Sequence, residues 1–367
     1  MKAIFLSEGL RMFLRRFRVL FKGFHTFEGD AEAILKQVVD SCWNGRYFQT
    51  SSGHFSGFYI RDFSWCIEAL LTLGYDEKVK KTLEYALGQF KKHGHVTVAI
   101  NPSSKCFDFP MYGEDSVPCL LKCLDVLGDK KLIEEHRVFL QHEILYYFSQ
   151  VFDVGGEYRR DRSFSSIRDH AERMASCYGF AHAGMLIRIA LKHGFNVGAF
   201  EKIDFEQRLV YDYWNGAYFF EDTRKQNIVV ADAQLFPFWC GIVRDNKIMK
   251  KAFDALSQEG LDKPFPLRYT CKKQKLSLWN VFAEGYEQKT VWMHLGMIYM
   301  QLCRNVFKDQ YARMIKQYLS LVAKHQTFLE VYDSQGHVFS RLLYISDEGM
   351  LWASILLGEV YGTKKNN

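Results

Sequence analysis

Apolar residues return every three or four positions along most of this chain, and clusters of Gly, Asn, Asp and aromatic residues interrupt them. The periodic stretches predict helices near 31–43, 62–74, 76–92, 115–128, 130–151, 169–193, 203–213, 232–244, 246–258, 288–305, 309–327 and 347–361, twelve in all. The links between them alternate in length. After even-numbered helices they are short: "GYDE", "GDK", "GFNVG", "RDN" and "FKDQ". After odd-numbered helices they are long, over 44–61, 93–114, 152–168, 214–231, 259–287 and 328–346. Short links make antiparallel neighbours, so the chain reads as six helical hairpins whose long loops emerge at one end. An all-α (α/α)6 toroid fits this pattern, with the even helices inside and a long loop entering the N-terminus of each. A solenoid is the alternative, but its units are more uniform and its loops shorter.

One echo supports a repeated hairpin unit. "CWNGRYF" at 42–48 returns as "YWNGAYFFED" at 213–222, each just after an odd helix. Asn-Gly between aromatics signals a tight turn into a short strand, and Trp43 or Trp214 could project toward the mouth.

Composition narrows the classes. The 367 residues are 48% hydrophobic with only 6 Pro and no Pro- or Ser/Gly-rich linker, which favours one domain over 31–361, between a segment 1–30 and a polar tail 362–367. The net charge of +6 is concentrated at the start, where Lys2, Arg11, Arg15, Arg16, Arg18 and Lys22 face one acid, Glu8. No basic stripe runs along the body, so nucleic acid is not an expected partner. Residues 1–24 read as a basic amphipathic helix whose apolar runs are too short to span a membrane. A strap packed on the domain is favoured over membrane-surface contact through this segment. Nine scattered Cys, with no leader sequence, suggest reduced thiols and a cytoplasmic protein. His93 and His95 are the closest chelating pair in sequence but lack a Cys or carboxylate neighbour, so no metal is expected. No Gly-rich phosphate loop calls for a nucleotide cofactor.

Polar residues gather where the long loops meet the inner helices: Arg61-Asp62, Glu114-Asp115, Arg168-Asp169, Asp232, Glu287 and Glu348. Helix capping is the competing reading for these acids. It accounts less well for the accompanying Arg, Trp and Tyr, or for Glu330 inside "TFLEVYDSQGHVF". Carboxylates, Arg and aromatic plates around one pocket suit a neutral, hydroxyl-rich ligand. Two carboxyl groups across such a pocket can hydrolyse a glycoside, one protonating the leaving oxygen and the other activating water.

At this point the sequence resembles the six-hairpin glycosidase superfamily, which includes glucoamylase, trehalase, amylo-α-1,6-glucosidase and the processing glucosidases. "FYIRDFSWCIEALLTLG" resembles its Arg-Asp motif at the second helix, and "YEQKTVWMHLGMIYMQL" the stretch entering helix ten. "FLEVYDSQGHVF" with "SDEGMLWASILL" resembles the Glu-x-Tyr-Asp loop before the last helix. "RSFSSIRDHAERMASCY" occupies the position of the general acid. The resemblance spans about 31 to 361. It departs at Gln288-Lys289, at Met293-His294 and at Ser166-Ile167-Arg168, where relatives carry other residues.

The resemblance implies Glu330 as general base and Asp169 as general acid, with Glu114 or Asp115 in reserve. Arg61 and Asp62 would hold hydroxyls of the innermost sugar. Trp292 would be a platform with Glu287 and His294 close by, and Tyr59, Trp65, Asp115, Arg168 and Asp232 complete the expected lining. The expected activity is an inverting, exo-acting hydrolysis of an α-linked glucoside or related oligosaccharide, without cofactor. Inversion predicts carboxyl groups about 6.5–9.5 Å apart. Arg168 beside Asp169 is in tension with an acid that needs a raised pKa, and this resolves only if Arg168 points elsewhere. Rival readings on the same toroid are an epimerase using His54, His170 or His294, a phosphorylase, a uronide hydrolase, or a non-catalytic carbohydrate-binding protein.

Overall fold

The computed structural model describes residues 2–169, 171–272 and 285–365. An N-terminal helix, α1 (Lys2–Lys22), precedes the barrel. The outer helices are α2 (Ala31–Ser41), α4 (Asp76–His93), α6 (Lys130–Glu135) continued by α7 (Arg137–Val151), α9 (Phe205–Tyr213), α11 (Asn246–Gln258) and α13 (Lys308–His325). The inner helices are α3 (Ile60–Thr72), α5 (Ser116–Leu127), α8 (Cys177–Lys192), α10 (Ala231–Trp239), α12 (Met293–Cys303) and α14 (Ala353–Lys365). Each inner helix packs on the next, α3 on α5, α5 on α8, α8 on α10, α10 on α12 and α12 on α14, and α14 returns to α3. The expected ring therefore closes. The outer α2 packs on α13 and α14, joining the first hairpin to the last.

One contiguous apolar core runs from Ile34 to Leu357 through all six hairpins. The inner helices are apolar nearly all round, as elements with neighbours on every side must be: α8 buries Tyr178, Phe180, Met185 and Leu186, and α12 buries Leu295, Met297 and Ile298. The outer helices are one-sided, as α4 is with Val79, Leu83, Ala86, Leu87 and Phe90 buried.

Several helix boundaries differ from the sequence reading, including the end expected at 244, which falls at Trp239. The expected helix over 130–151 is interrupted at His136. The helices expected from 169, 288 and 347 begin at Cys177, Met293 and Ala353. The described residues ahead of them are mostly buried but extended or turned, and an apolar run alone does not distinguish buried strand from buried helix. Two small antiparallel sheets form at this end of the barrel. Strands β1 (Phe58–Tyr59), β2 (Ala99–Ile100) and β3 (Cys106–Phe107) make one, and β4 (Val291–Trp292) and β5 (Val331–Tyr332) the other. Strand β1 leads directly into α3, and β4 into α12.

The repeated Asn-Gly turns form as expected. Asn44 Oδ1 accepts the N–H groups of Arg46 and Tyr47, and Asn215 Oδ1 those of Ala217 and Tyr218. Gly45 and Gly216 take φ of 91° and 97°, a region only Gly enters without strain. Each turn closes an antiparallel bridge, Trp43 to Phe48 and Trp214 to Phe219. The two Trp rings pack on those Phe rings, and Lys78 lies over Trp43. All nine cysteines are free thiols. Among the described residues no helix is long and apolar enough to cross a membrane.

Candidate active site

Arg61 emerges in the first turn of α3 with its guanidinium against Asp115, at the start of α5. Its Nε donates to Oδ2 at 2.5 Å and its Nη2 to Oδ1 at 3.3 Å. Tyr178 on α8 adds its hydroxyl to the same carboxylate at 2.5 Å. Burial opposes ionisation of Asp115, but the Arg61 guanidinium overrides it and holds the carboxyl below the usual range. The other face of Arg61 reaches Asp169, with Nη1 3.8 Å from Oδ1. Adjacent Asp62 accepts the indole N–H of Trp352 at 2.9 Å, and burial pushes it up to about 7 against the pull of Arg61.

Asp169 does not begin a helix. It lies in the loop ahead of α8, and the capping role falls to Ser176, whose hydroxyl accepts the N–H of Gly179. Capping therefore does not explain Asp169. Its side chain is 27% exposed, while Asp115 is fully enclosed. Ser165 donates to its Oδ1 at 2.7 Å, and its backbone N–H donates to Glu287 Oε1 at 3.1 Å. Arg168 points away, with Nη1 on Glu221 at 2.6 Å and the guanidinium over Tyr269. Arg61 is a cation facing Asp169, and its charge is shared with Asp115.

Glu330 lies 1% exposed, immediately ahead of β5. Tyr286 donates to its Oε1, while Tyr344 at 2.5 Å and the Asp347 N–H at 2.9 Å donate to Oε2. Three donors leave about one lone pair of a carboxylate's four free, on Oε1. Burial raises the Glu330 carboxyl, His54 opposes the shift and Asp347 adds to it. Asp347 is itself locked. Ser51, the N–H groups of His54 and Phe55, and Arg15 of α1 all point at its carboxylate. Despite complete burial, His54 and Arg15 hold it well below the usual range. A side chain at position 53 would collide with this carboxylate, so the loop needs Gly53.

An aromatic wall joins these groups. The imidazole of His294 stacks on Trp65 at 4.9 Å and meets Trp292 and Trp352 edgewise, while Nε2 lies 3.1 Å from the Tyr269 hydroxyl. Burial, with Arg61 nearby, keeps His294 neutral. The Trp292 indole donates to Tyr286 O at 2.8 Å, fixing the tyrosine that holds Glu330. Tyr59 sits within the electrostatic reach of Asp62, Asp169 and of Glu8 and Arg11 on α1. Residues 286 and 287 therefore bridge the pair: Tyr286 holds Glu330 and Glu287 holds the backbone of Asp169.

Other expected residues fall elsewhere. Asp232 is fully buried and paired with Arg173 at 2.5 Å, a structural pair and not pocket lining. Arg168 and Glu287 support the Asp169 loop from behind. Glu114 is 2% exposed, between Tyr158 at 2.5 Å and Ser176 at 2.8 Å, and burial pushes it up to about 7. Glu114 and Asp115 are both enclosed, which leaves Asp169 as the accessible carboxylate. Glu348 pairs with Arg15 and Arg18 of α1. His170 lies outside the described residues. The sequence reading missed Tyr286, Tyr344, Asp347 and Arg15. Tyr286 and Asp347 stand in the quoted motifs and Arg15 in a helix set aside as a strap, whereas Tyr344 lies between two quoted motifs and carried no signal.

No known family model matches the sequence, and no curated protein matches it. Solved structures do. A glycosidase in complex with glucose matches over 97% of each chain with a TM-score of 0.65 at 10% identity. The (α/α)6 toroid of such structures is therefore the fold of this chain. A mannosylglycerate hydrolase from Thermus thermophilus, in complex with Tris and D-glycerate, matches over 90% of this chain and 100% of its own at TM-score 0.60 and 12% identity. A bacterial glucoamylase complexed with acarbose matches at TM-score 0.60 and 11% identity, over 92% of this chain and 55% of its own. On the six-hairpin scaffold, the Arg-Asp motif starts the first inner helix, and Glu330 closes the loop of the sixth hairpin onto the strand ahead of the fifth inner helix.

Proposed function

We propose that this protein is an inverting, exo-acting glycoside hydrolase acting on an α-linked glucoside or a related sugar. The observation that carries the reading is the unequal setting of its two carboxyl groups. Glu330 is enclosed, gripped by two phenols, with one lone pair left for a water; Asp169 is the accessible acid across residues 286–287. Glu330 acts as general base, deprotonating the water that attacks the anomeric carbon. Asp169 acts as general acid, protonating the departing oxygen. Burial and the Glu330 charge keep the Tyr286 and Tyr344 phenols protonated, so both remain donors that orient the base. Arg61 and Asp62 hold hydroxyls of the innermost sugar, and the Trp65, Trp292 and Trp352 cluster forms the apolar wall beside it. The likeness to structures holding glucose and acarbose supports a sugar ligand.

An epimerase needs free imidazoles facing each other. Among the described residues, His294 stacks on Trp65 with Nε2 on the Tyr269 hydroxyl, and His54 pairs with Asp347, which favours the hydrolase reading over this one.

Wild type, Asp169→Asn and Glu330→Gln assayed on aryl α-glycosides and disaccharides test the proposal. Each variant is expected to lose about 10²–10⁴-fold in kcat, and the initial product of wild type to have the inverted anomeric configuration. Equal background turnover by all three proteins would refute a hydrolase, and a retained anomer would refute inversion.

A further inference from the structure

Outside this site, the tertiary structure assembles a group that no stretch of sequence contains. His95 follows the end of α4, while His142 and Glu143 sit on α7. Their potential ligand atoms lie within 4.8 Å of one another. The Nδ1 atoms of His95 and His142 are 3.0 and 3.1 Å from the same oxygen, Glu143 Oε1. We propose that His95, His142 and Glu143 form a divalent-cation site, suited to zinc, that ties the loop after α4 to α7.

Three observations carry this. The first is spacing. Zinc binds imidazole nitrogen and carboxylate oxygen at about 2.0–2.1 Å in a tetrahedron, whose edges are then about 3.4 Å. The two measured edges lie near that length, so small rotations of the exposed rings admit the ion. The second is charge. Glu143 is 1% exposed, and among the described residues its ion-pair partners are the two imidazoles, with no Lys or Arg. A buried carboxylate needs a compensating charge, and a cation at this point supplies it. The third is orientation. Glu143 is anchored through Oε2 by the N–H of Val96 at 2.7 Å, and the His95 ring is stacked on Tyr146 at 4.1 Å. The ligands are thus held from behind, as metal ligands usually are. The side chains of His95 and His142 are 40% and 60% exposed, so the ion has an entry path and a fourth position open to water.

The role is structural, because Val96 and Val98 lie on the way to the sugar site. The N–H of Ile60, at the start of α3, donates to Val98 O at 3.2 Å, and β2 pairs with β1 just ahead of Arg61. A cation at Glu143 therefore braces the segment that seats the first turn of α3. Imidazole with a carboxylate suits zinc over calcium or magnesium, which prefer all-oxygen sets.

Calorimetric titration of the full chain with zinc chloride, after EDTA treatment and dialysis, tests this. One zinc per chain with micromolar or tighter affinity is expected, together with a higher Tm at saturating zinc. His95→Ala and His142→Ala are each expected to weaken binding by at least about tenfold and to abolish the Tm increase, while melting like wild type in EDTA. Both positions are exposed, so the variants should fold. Binding no tighter than millimolar, or binding that survives both substitutions, would overturn the site. Cobalt(II) in place of zinc gives a second readout: a visible absorption band in wild type that both variants lack.

Discussion

The two ends of the barrel use the same residue types for opposite purposes. At the end with short links, Asp129, Asp204 and Asp245 each accept backbone N–H groups in the first turn of an outer helix. These are capping residues, worth about 1 kcal/mol apiece. At the end with long loops, Asp62, Asp115 and Asp232 also sit at helix starts, yet none of their side chains caps. They meet Trp352, Arg61 and Arg173 instead. A carboxylate that caps its own helix is satisfied locally. One that leaves the N–H groups alone must find a partner across the barrel, and that need draws the charges of several hairpins together.

The comparison can be broken most forcefully at the mouth. Asp115→Ala leaves Arg61 buried without its main partner, and removing one member of a buried pair costs about 3–5 kcal/mol. Urea unfolding should show that loss; a midpoint unchanged from wild type would mean that the mouth ion pairs do not frame the barrel. Arg15→Ala tests whether α1 belongs to the same framework. Arg15 is buried, donating to Ile345 O and Ser346 O and facing Asp347 and Glu348. Its loss should cost about 1–3 kcal/mol and expose α1 to limited proteolysis. An α1 as protease-resistant as in wild type would show that other contacts hold it.

Acidity provides a third test. Asp62 stands at about 7 in the folded protein against 3.8 in the unfolded chain. The folded state then binds more protons between those values, so this group's contribution to stability is present below about 4 and is lost as pH rises toward 7. The slope is at most about 1.4 kcal/mol per pH unit. Asp62→Asn should flatten the decline measured by urea unfolding between pH 4.5 and 7.5, and parallel curves would place the Asp62 carboxyl outside the buried set. The smallest effect belongs to the short-link end. Asp129→Ala or Asp245→Ala should cost about 1 kcal/mol and leave kcat/KM on any glycoside substrate unchanged. A change in turnover would mean that the two ends are not independent.

Much of this was legible in the sequence. Helix spacing and alternating link lengths gave six hairpins and a ring, because burial periodicity and chain-length limits are local properties. The starts of α8, α12 and α14 were placed early because buried extended residues ahead of them carry the same apolar pattern as helix. In the site, the quoted motifs singled out Arg61, Asp169 and Glu330. The partners that hold these carboxylates were not legible: Glu330 is held by residues 44 and 14 positions away, and Asp347 by Arg15 more than 300 residues earlier. The N-terminal segment reads as a strap packed on the domain, but which of its residues face inward was not legible: Arg15 is buried, while Leu10, Leu14 and Phe21 are exposed.

The sequence by itself determined the number of hairpins, the closed ring and the end at which the long loops and their charged residues would gather. Apolar spacing and link length act between near neighbours in the chain, and both can be read without coordinates. Only the tertiary structure decided which charges meet. Arg168 turned from Asp169 to Glu221, Asp232 went to Arg173, and His95, in the loop after α4, found Glu143 on α7. Those choices follow from desolvation, which penalises any buried charge until a partner lies within hydrogen-bonding distance, wherever in the chain that partner is.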